Sequence, residues 1–102
     1  MGSRRRKGES DTLTRDKVQK PRKWKVLIHN DDYTSMEFVV WVLQAIFKHS
    51  SAESTRIMLA VHKKGIGVAG VYTRDIAETR CEQVKQLAEE AGHPLQCTTE
   101  PE

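Results

Sequence analysis

The sequence predicts an α+β fold: a two-layer sandwich in which three helices cover one face of a three-stranded antiparallel or mixed sheet. Three observations predict it. The apolar pattern changes between periods of two and of 3.6 residues in the order β-α-α-β-α-β. The chain has 102 residues, enough for one domain. The composition is 37% hydrophobic and 30% charged, which is typical of a globular domain with one modest core.

The first 23 residues differ from the rest in charge and hydropathy. Residues 1–23 hold nine Lys and Arg against three Asp and Glu, a net charge of +6, whereas residues 24–102 carry −3. The large apolar residues of this segment are Leu13 and Val18, so we predict a disordered basic N-terminal extension before a domain at 24–102. The RRRK run at 4–7 leaves open a small ribosome- or RNA-associated protein that uses this tail. The acidic domain argues against nucleic acid as a partner.

The first strand and helix follow directly. Residues 24–29, WKVLIH, alternate as a strand, and the turn formers Asn30-Asp31-Asp32 end it. A capping box of Thr34 and Glu37 then predicts a helix over 35–48.

The second half is read in the same way. Ser50 and Glu53 predict a cap for a helix over 52–64, and Gly65 ends it. A strand follows over 66–72. Thr73 is expected to cap a third helix that Gly92 ends, and residues 95–99 alternate as a last strand, with 100–102 frayed. We expect the third helix to bury Ile76, Ala77, Cys81, Val84, Leu87 and Ala88.

Several chemistries find little support in the sequence. Cys81 and Cys97 are too few for a disulfide framework, and the four histidines lack metal-binding spacing, so no metal or cofactor is expected. The GxGxxG match at 65–70 follows a helix and precedes a strand, the reverse of a dinucleotide site. No nucleophile with a base stands out, so no enzyme is expected. No apolar run reaches 18 residues and no export signal opens the chain, which predicts a cytoplasmic protein with reduced thiols.

One polar and apolar cluster does indicate binding. Asn30 and Asp31 follow the first strand, and His62 lies one turn after Met58 on the second helix. Carboxylate, amide and imidazole acceptors suit a cationic amine, and an apolar hole beside them suits a free N-terminal residue with a large side chain. The hole would be lined by Met36, Val39, Met58 and Val61.

These residues carry a family resemblance. The sequence resembles ClpS, the adaptor of the Clp AAA+ protease, over about residues 24–100. The resembling segments are VLIHNDDYTSMEFV at 26–39, MLAVH at 58–62, GVYT at 70–73, AET at 77–79 and HPL at 93–95.

The resemblance implies a function and its residues. Such proteins bind proteins that begin with Phe, Tyr, Trp or Leu (N-degrons) and hand them to the N-terminal domain of a Clp ATPase, ClpA or a ClpC-type partner. It implies that they are bacterial, act as monomers and perform no chemistry. By position, Asn30, Asp31 and His62 would hold the α-amino group. The side-chain pocket would be lined by Thr34, Met36, Val39, Met58, Val61 and Leu95, with Met36 as a gate against β-branched residues. ATPase docking would involve Tyr33, Asp75, Glu78 and Arg80.

Overall fold

A computed structural model describes residues 20–102 of the chain. The N-terminal extension is predicted to be disordered, and its residues 1–19 lie outside the described part of the chain. The described elements follow the predicted order, and they are β1 (Lys23–His29), α1 (Met36–Ala45), α2 (Ser51–Lys64), β2 (Ile66–Thr73), α3 (Arg74–Ala91) and β3 (Gln96–Pro101).

In the described part of the chain the three strands form one sheet in the order β2-β1-β3, and both pairings are antiparallel. Ile28 in the central strand β1 lies opposite Gly67 of β2 and Cys97 of β3. A bulge between Val26 and Leu27 shifts the register with β2. The prediction of a two-layer α+β sandwich is confirmed, and its sheet is antiparallel.

The core lies between the sheet and the helices. Val26 and Ile28 of β1 are fully buried there, and Leu27 between them points to the opposite face of the sheet. The helices bury their apolar stripes against this layer, which removes the side chains from water and stabilises the packing. Their contributions are Val39, Val42, Leu43, Ile57, Met58, Val61, Ala77, Val84 and Ala88, and the turn after α1 adds Ile46 and Phe47.

Helix α1 differs from its predicted boundaries at both ends. Ser35, not Thr34, is the N-cap, and its hydroxyl accepts a 3.1 Å hydrogen bond from the N–H of Phe38. Thr34 lies one position before the cap, and its hydroxyl donates to the carboxylate of Asp31. The helix ends at Ala45 rather than Lys48, which adopts a left-handed backbone with a φ of 61°. Helix α2 begins at its predicted cap: the Ser50 hydroxyl accepts a hydrogen bond from the N–H of Glu53.

Two expectations for the C-terminal third are wrong. The chain does not fray after Thr99, because β3 continues to Pro101 and the N–H of Glu102 donates a 2.9 Å hydrogen bond to the carbonyl of Lys23. Ile76 is exposed rather than buried, since the start of α3 turns that side chain away from the sheet. Gly92 ends α3 as predicted, with a φ of 78°. Across residues 20–102, none of the helices has the length and apolarity that a membrane crossing requires.

Candidate functional site

A cavity of about 240 Å³ opens between the loop after β1, the first turn of α1 and the C-terminal half of α2. Its lining combines polar groups from the loop and α2 with apolar groups from the two helices. The lining residues are Asn30, Asp31, Asp32, Thr34, Met36, Val39, Met58, Val61 and His62. The structure therefore brings together eight of the nine side chains that the family resemblance assigned to an amine site and a side-chain pocket.

The loop is built around the Asp31 carboxylate. Its Oδ1 accepts hydrogen bonds from the backbone N–H groups of Tyr33 and Thr34, at 2.8 and 2.7 Å, and its Oδ2 accepts one from the Thr34 hydroxyl at 2.7 Å. Burial alone would raise the pKa of Asp31, but these bonds and the nearby His93 outweigh it and hold the pKa below its ordinary value. Asp31 is thus a fixed anion at neutral pH.

Backbone contacts bring the loop to the end of α2. The N–H of Asn30 donates a 2.9 Å hydrogen bond to the carbonyl of Gly65, the residue that ends α2 with a φ of 88°. His62 lies in the last turn of the same helix and is exposed. Asn30 and His62, 32 positions apart in the sequence, therefore share one rim of the cavity.

The hole beneath this rim is apolar. Val39, Met58 and Val61 are buried, whereas Met36 is 43% exposed and stands at the entrance. Strand β2 supports the floor from behind. A Cβ built on Gly67 would lie 2.6 Å from Cγ2 of Val61, so only glycine lets the strand approach α2 this closely.

This arrangement suits one kind of ligand. Three acceptor-bearing side chains on the rim can receive the N–H groups of a primary ammonium, and the Asp31 anion compensates its charge. The apolar hole can bury a large aliphatic or aromatic side chain attached next to that ammonium. The cavity can therefore hold a chain terminus with a free amine and an apolar first side chain.

Sequence reasoning missed two residues of this region. Asp32 lines the cavity beside Asp31, although the sequence showed only its turn-forming role. His93 lies close enough to Asp31 to help lower its pKa, and its ring packs 4.5 Å from that of Phe38. His93 is 62 positions from Asp31, and no short-range pattern reports a contact at that separation.

Leu95, which the family resemblance adds to the side-chain pocket, is not among the residues that line this cavity. Leu95 is buried in the core and lines a different depression between α3 and β3, together with Cys81 and Cys97. Leu95 leads into β3, which pairs with β1 on the edge of the sheet opposite β2, and α3 packs across all three strands.

The residues expected to dock an ATPase lie in two places. Asp75 and Glu78 are exposed in the first turns of α3, and Arg80 follows with its guanidinium 5.9 Å from the ring centre of Tyr72. Glu78 is paired with Arg74 at 3.2 Å. Tyr33 belongs instead to the loop at the cavity and is 80% exposed.

The thiols of Cys81 and Cys97 are partly buried and pack against the core. Burial raises the pKa of Cys81 and of Cys97, and the Cys81 Sγ donates to the carbonyl of Cys97 at 2.8 Å. Both are free cysteines that are protonated at neutral pH. Within residues 20–102 no group of three or more His, Cys, Asp or Glu could hold a metal ion.

Fold and cavity together define a small ligand-binding domain, an antiparallel α+β sandwich with an acceptor-bearing rim above an apolar hole. Comparison with known proteins gives its family. The sequence model of the ATP-dependent Clp protease adaptor protein ClpS matches residues 19–98. The chain belongs to this family, which confirms the resemblance, and it is an adaptor of the Clp protease system.

Individual relatives agree with this membership. The chain is 57% identical over 94 residues to a Clp protease adapter from Desulfatibacillum aliphaticivorans, which covers 90% of each chain. It is 55% identical over 95 residues to one from Deinococcus radiodurans, covering 93% of this chain and 84% of that one. The solved structure of Agrobacterium tumefaciens ClpS2 bound to L-phenylalaninamide is similar with a TM-score of 0.79 and 47% identity, over 81% of this chain and all of that one.

Proposed function

We propose that this chain binds proteins through a free N-terminal Phe, Tyr, Trp or Leu and delivers them to a Clp AAA+ ATPase. One observation carries the proposal: the acceptor rim of Asn30, Asp31 and His62 lies directly above the apolar hole. A free N-terminal residue is the peptide feature that offers an ammonium and a side chain on the same carbon.

Each rim residue has a separate task in this proposal. Asp31, held by its three hydrogen bonds, supplies the charge that attracts the ammonium. The Asn30 amide oxygen and an unprotonated His62 nitrogen accept the remaining N–H groups. Thr34 orients Asp31, and Met36 narrows the entrance against side chains that branch at Cβ.

The ligand of the Agrobacterium relative supports this proposal. L-Phenylalaninamide carries a free α-amino group and an aromatic side chain, and its carboxyl end is an uncharged amide as in a peptide. The same three features are what the cavity of this chain can accommodate. Acetylation of the amine would remove its charge and all but one of its N–H donors, so it should weaken binding strongly.

Delivery requires a second surface, for which we propose Asp75, Glu78 and Arg80 on α3, with Tyr33 as a separate contact. The partner is the N-terminal domain of ClpA or of a ClpC-type ATPase. The mixed charges of this surface favour a charge-complementary contact. Asp75 accepts a 2.9 Å hydrogen bond from the Thr73 hydroxyl, which lowers the pKa of Asp75 and keeps it anionic.

We further propose that the chain acts by binding alone, as a monomer in the bacterial cytoplasm. In this scheme residues 24–102 form the adaptor domain and residues 1–23 form an extension that takes part in handing over the substrate.

A paired titration tests substrate binding. A fluorescent peptide that begins with Phe should bind, and its N-acetylated twin should bind at least about a hundredfold more weakly, since two or more charge-assisted hydrogen bonds are lost. The alternative of an RNA-associated protein, which the comparisons do not support, predicts no such discrimination and a steep dependence of RNA affinity on salt. Equal affinity for the two peptides would refute the proposal.

Delivery needs its own assay. Turnover of a reporter with an exposed N-terminal Phe is measured with the Clp ATPase and peptidase, using wild type and Arg80→Glu. The variant should retain peptide affinity and lose turnover. The matched variant Lys85→Glu, on the same helix outside the proposed surface, should keep both. Unchanged turnover with Arg80→Glu would contradict the docking assignment.

A further inference from the structure

A second depression lies beside the cavity, and we propose that it binds an apolar third residue of the same N-terminal segment. This inference rests on the proposed function. We name the depression the α1–α2 groove. It has a volume of about 320 Å³ and is lined by Met36, Glu37, Val40, Trp41, Gln44 and Met58.

The groove adjoins the cavity along α1. Met36 and Met58 line both depressions, so their side chains form the wall between them. On α1 the cavity is contacted by Met36 and Val39, and the groove runs along the adjoining face of the same helix, lined by Glu37, Val40, Trp41 and Gln44. The rim residues Asn30, Asp31 and His62 line the cavity and not the groove, so they lie on the cavity side of this wall. Rim, cavity and groove therefore follow one another in that order.

This order sets the path of a bound peptide. When the ammonium is held at the rim and the first side chain fills the hole, the rest of the chain leaves over the opposite wall, formed by Met36 and Met58. Side chains of an extended chain alternate between faces, and the third returns to the face of the first about 6.6 Å further on. The second side chain then points to solvent, and the third reaches the groove.

The chemistry of the groove favours an apolar side chain. Trp41 is 47% exposed, and its ring packs 5.8 Å from that of Phe38, which gives it a fixed neighbour. Met36 adds an exposed thioether, a flexible group that adapts to different apolar shapes. Single exposed apolar residues are ordinary on a protein surface, but here two of them adjoin a ligand cavity. Glu37 at the edge disfavours an acidic side chain.

The test uses three peptides that differ only at positions two and three: Phe-Ser-Leu, Phe-Ser-Ser and Phe-Leu-Ser, each followed by the same labelled tail. With wild type, Leu at position three should tighten binding about fivefold over Ser, as partial burial of a Leu side chain implies. Leu at position two should give no gain. Trp41→Ala should abolish the gain and leave the Phe-Ser-Ser affinity within about twofold. Leu59→Ala, an exposed residue of α2 outside the groove, should preserve the gain.

The outcomes separate this inference from the function on which it rests. If Phe-Ser-Ser binds and its acetylated twin does not, the proposed function stands. The groove assignment is then overturned by any of three results: no gain from Leu at position three, a gain that survives Trp41→Ala, or a gain at position two instead. If no peptide with a free N-terminal Phe binds, both are overturned.

Discussion

The backbone N–H of Asn30 donates a 2.9 Å hydrogen bond to the carbonyl of Gly65. This bond joins the loop after β1 to the end of α2, and it therefore fixes the distance between the two halves of the amine rim. Asn30 and Asp31 lie on one side of the bond and His62 lies on the other. A rim assembled from backbone contacts is largely preorganised, so little ordering is required when a ligand binds.

The anion at Asp31 predicts a pH dependence of stability. Its pKa in the folded protein is lowered below 3.8, so its contribution to stability is present above that value and is lost as the pH falls through the folded pKa. Asp31→Asn should therefore destabilise the protein at pH 7, and the difference from wild type should shrink at about pH 3. Urea unfolding at both pH values measures this, with Asp32→Asn as the exposed control. A difference that does not change with pH would contradict the assignment.

Short-range sequence patterns predicted most of the residues that line the cavity. The i, i+4 spacing of Met58 and His62 and the turn formers after β1 depend only on neighbours along the chain, and both lie where they were expected. The N-cap of α1 was predicted one residue too early, because Thr34 and Ser35 are both good cap residues. In the structure the Thr34 hydroxyl donates to the Asp31 carboxylate, and the Ser35 hydroxyl accepts the capping hydrogen bond from the N–H of Phe38.

Long-range relations were not accessible in the same way. Which edge of the sheet β3 joins could not be predicted, because local periodicity carries no information on strand order. The contribution of His93 near Asp31 depends on the same choice. The burial of Ser54 was also missed, because a serine on a helix is ordinarily a surface residue.

Met36 at the cavity entrance predicts a change in selectivity. Met36→Ala opens one wall, so a peptide that begins with Ile should gain affinity relative to one that begins with Phe, by about tenfold in the ratio. Fluorescence anisotropy with both peptides measures the ratio, and Leu59→Ala serves as the control that should leave it unchanged. An unaltered ratio in Met36→Ala would argue against a gate at this position.

Gly67 behind the cavity floor predicts a packing defect. In Gly67→Ala the new Cβ would lie 2.6 Å from Cγ2 of Val61, so Val61 must shift, at a cost of roughly 1–3 kcal/mol in stability and with weaker peptide binding. The double variant Gly67→Ala with Val61→Ala should be less unstable than the sum of the two single changes, because the clash is removed. Additive effects in urea unfolding would show that the contact is not the cause.

Ser54 predicts a stabilising substitution. Its side chain is fully buried in α2, and its hydroxyl has no hydrogen-bond partner among residues 20–102. Ser54→Ala removes an unsatisfied group and improves helix propensity, so the free energy of unfolding should rise by about 1 kcal/mol. The exposed residue Ser51 gives the control, since Ser51→Ala should change the free energy of unfolding by less than about 0.5 kcal/mol. Destabilisation by Ser54→Ala would mean that the hydroxyl is satisfied in solution.

The recognition of a free amine by the rim is tested most directly by a cycle that combines a protein change with a peptide change. Affinities of a Phe-initiated peptide and of its N-acetylated twin are measured for wild type and for Asn30→Ala, and then for His62→Ala. Each substitution removes one acceptor of the ammonium, so the loss of affinity caused by acetylation should be about tenfold smaller in each variant than in wild type. An acetylation effect of the same size in all three proteins would contradict the rim as the site of the α-amino group.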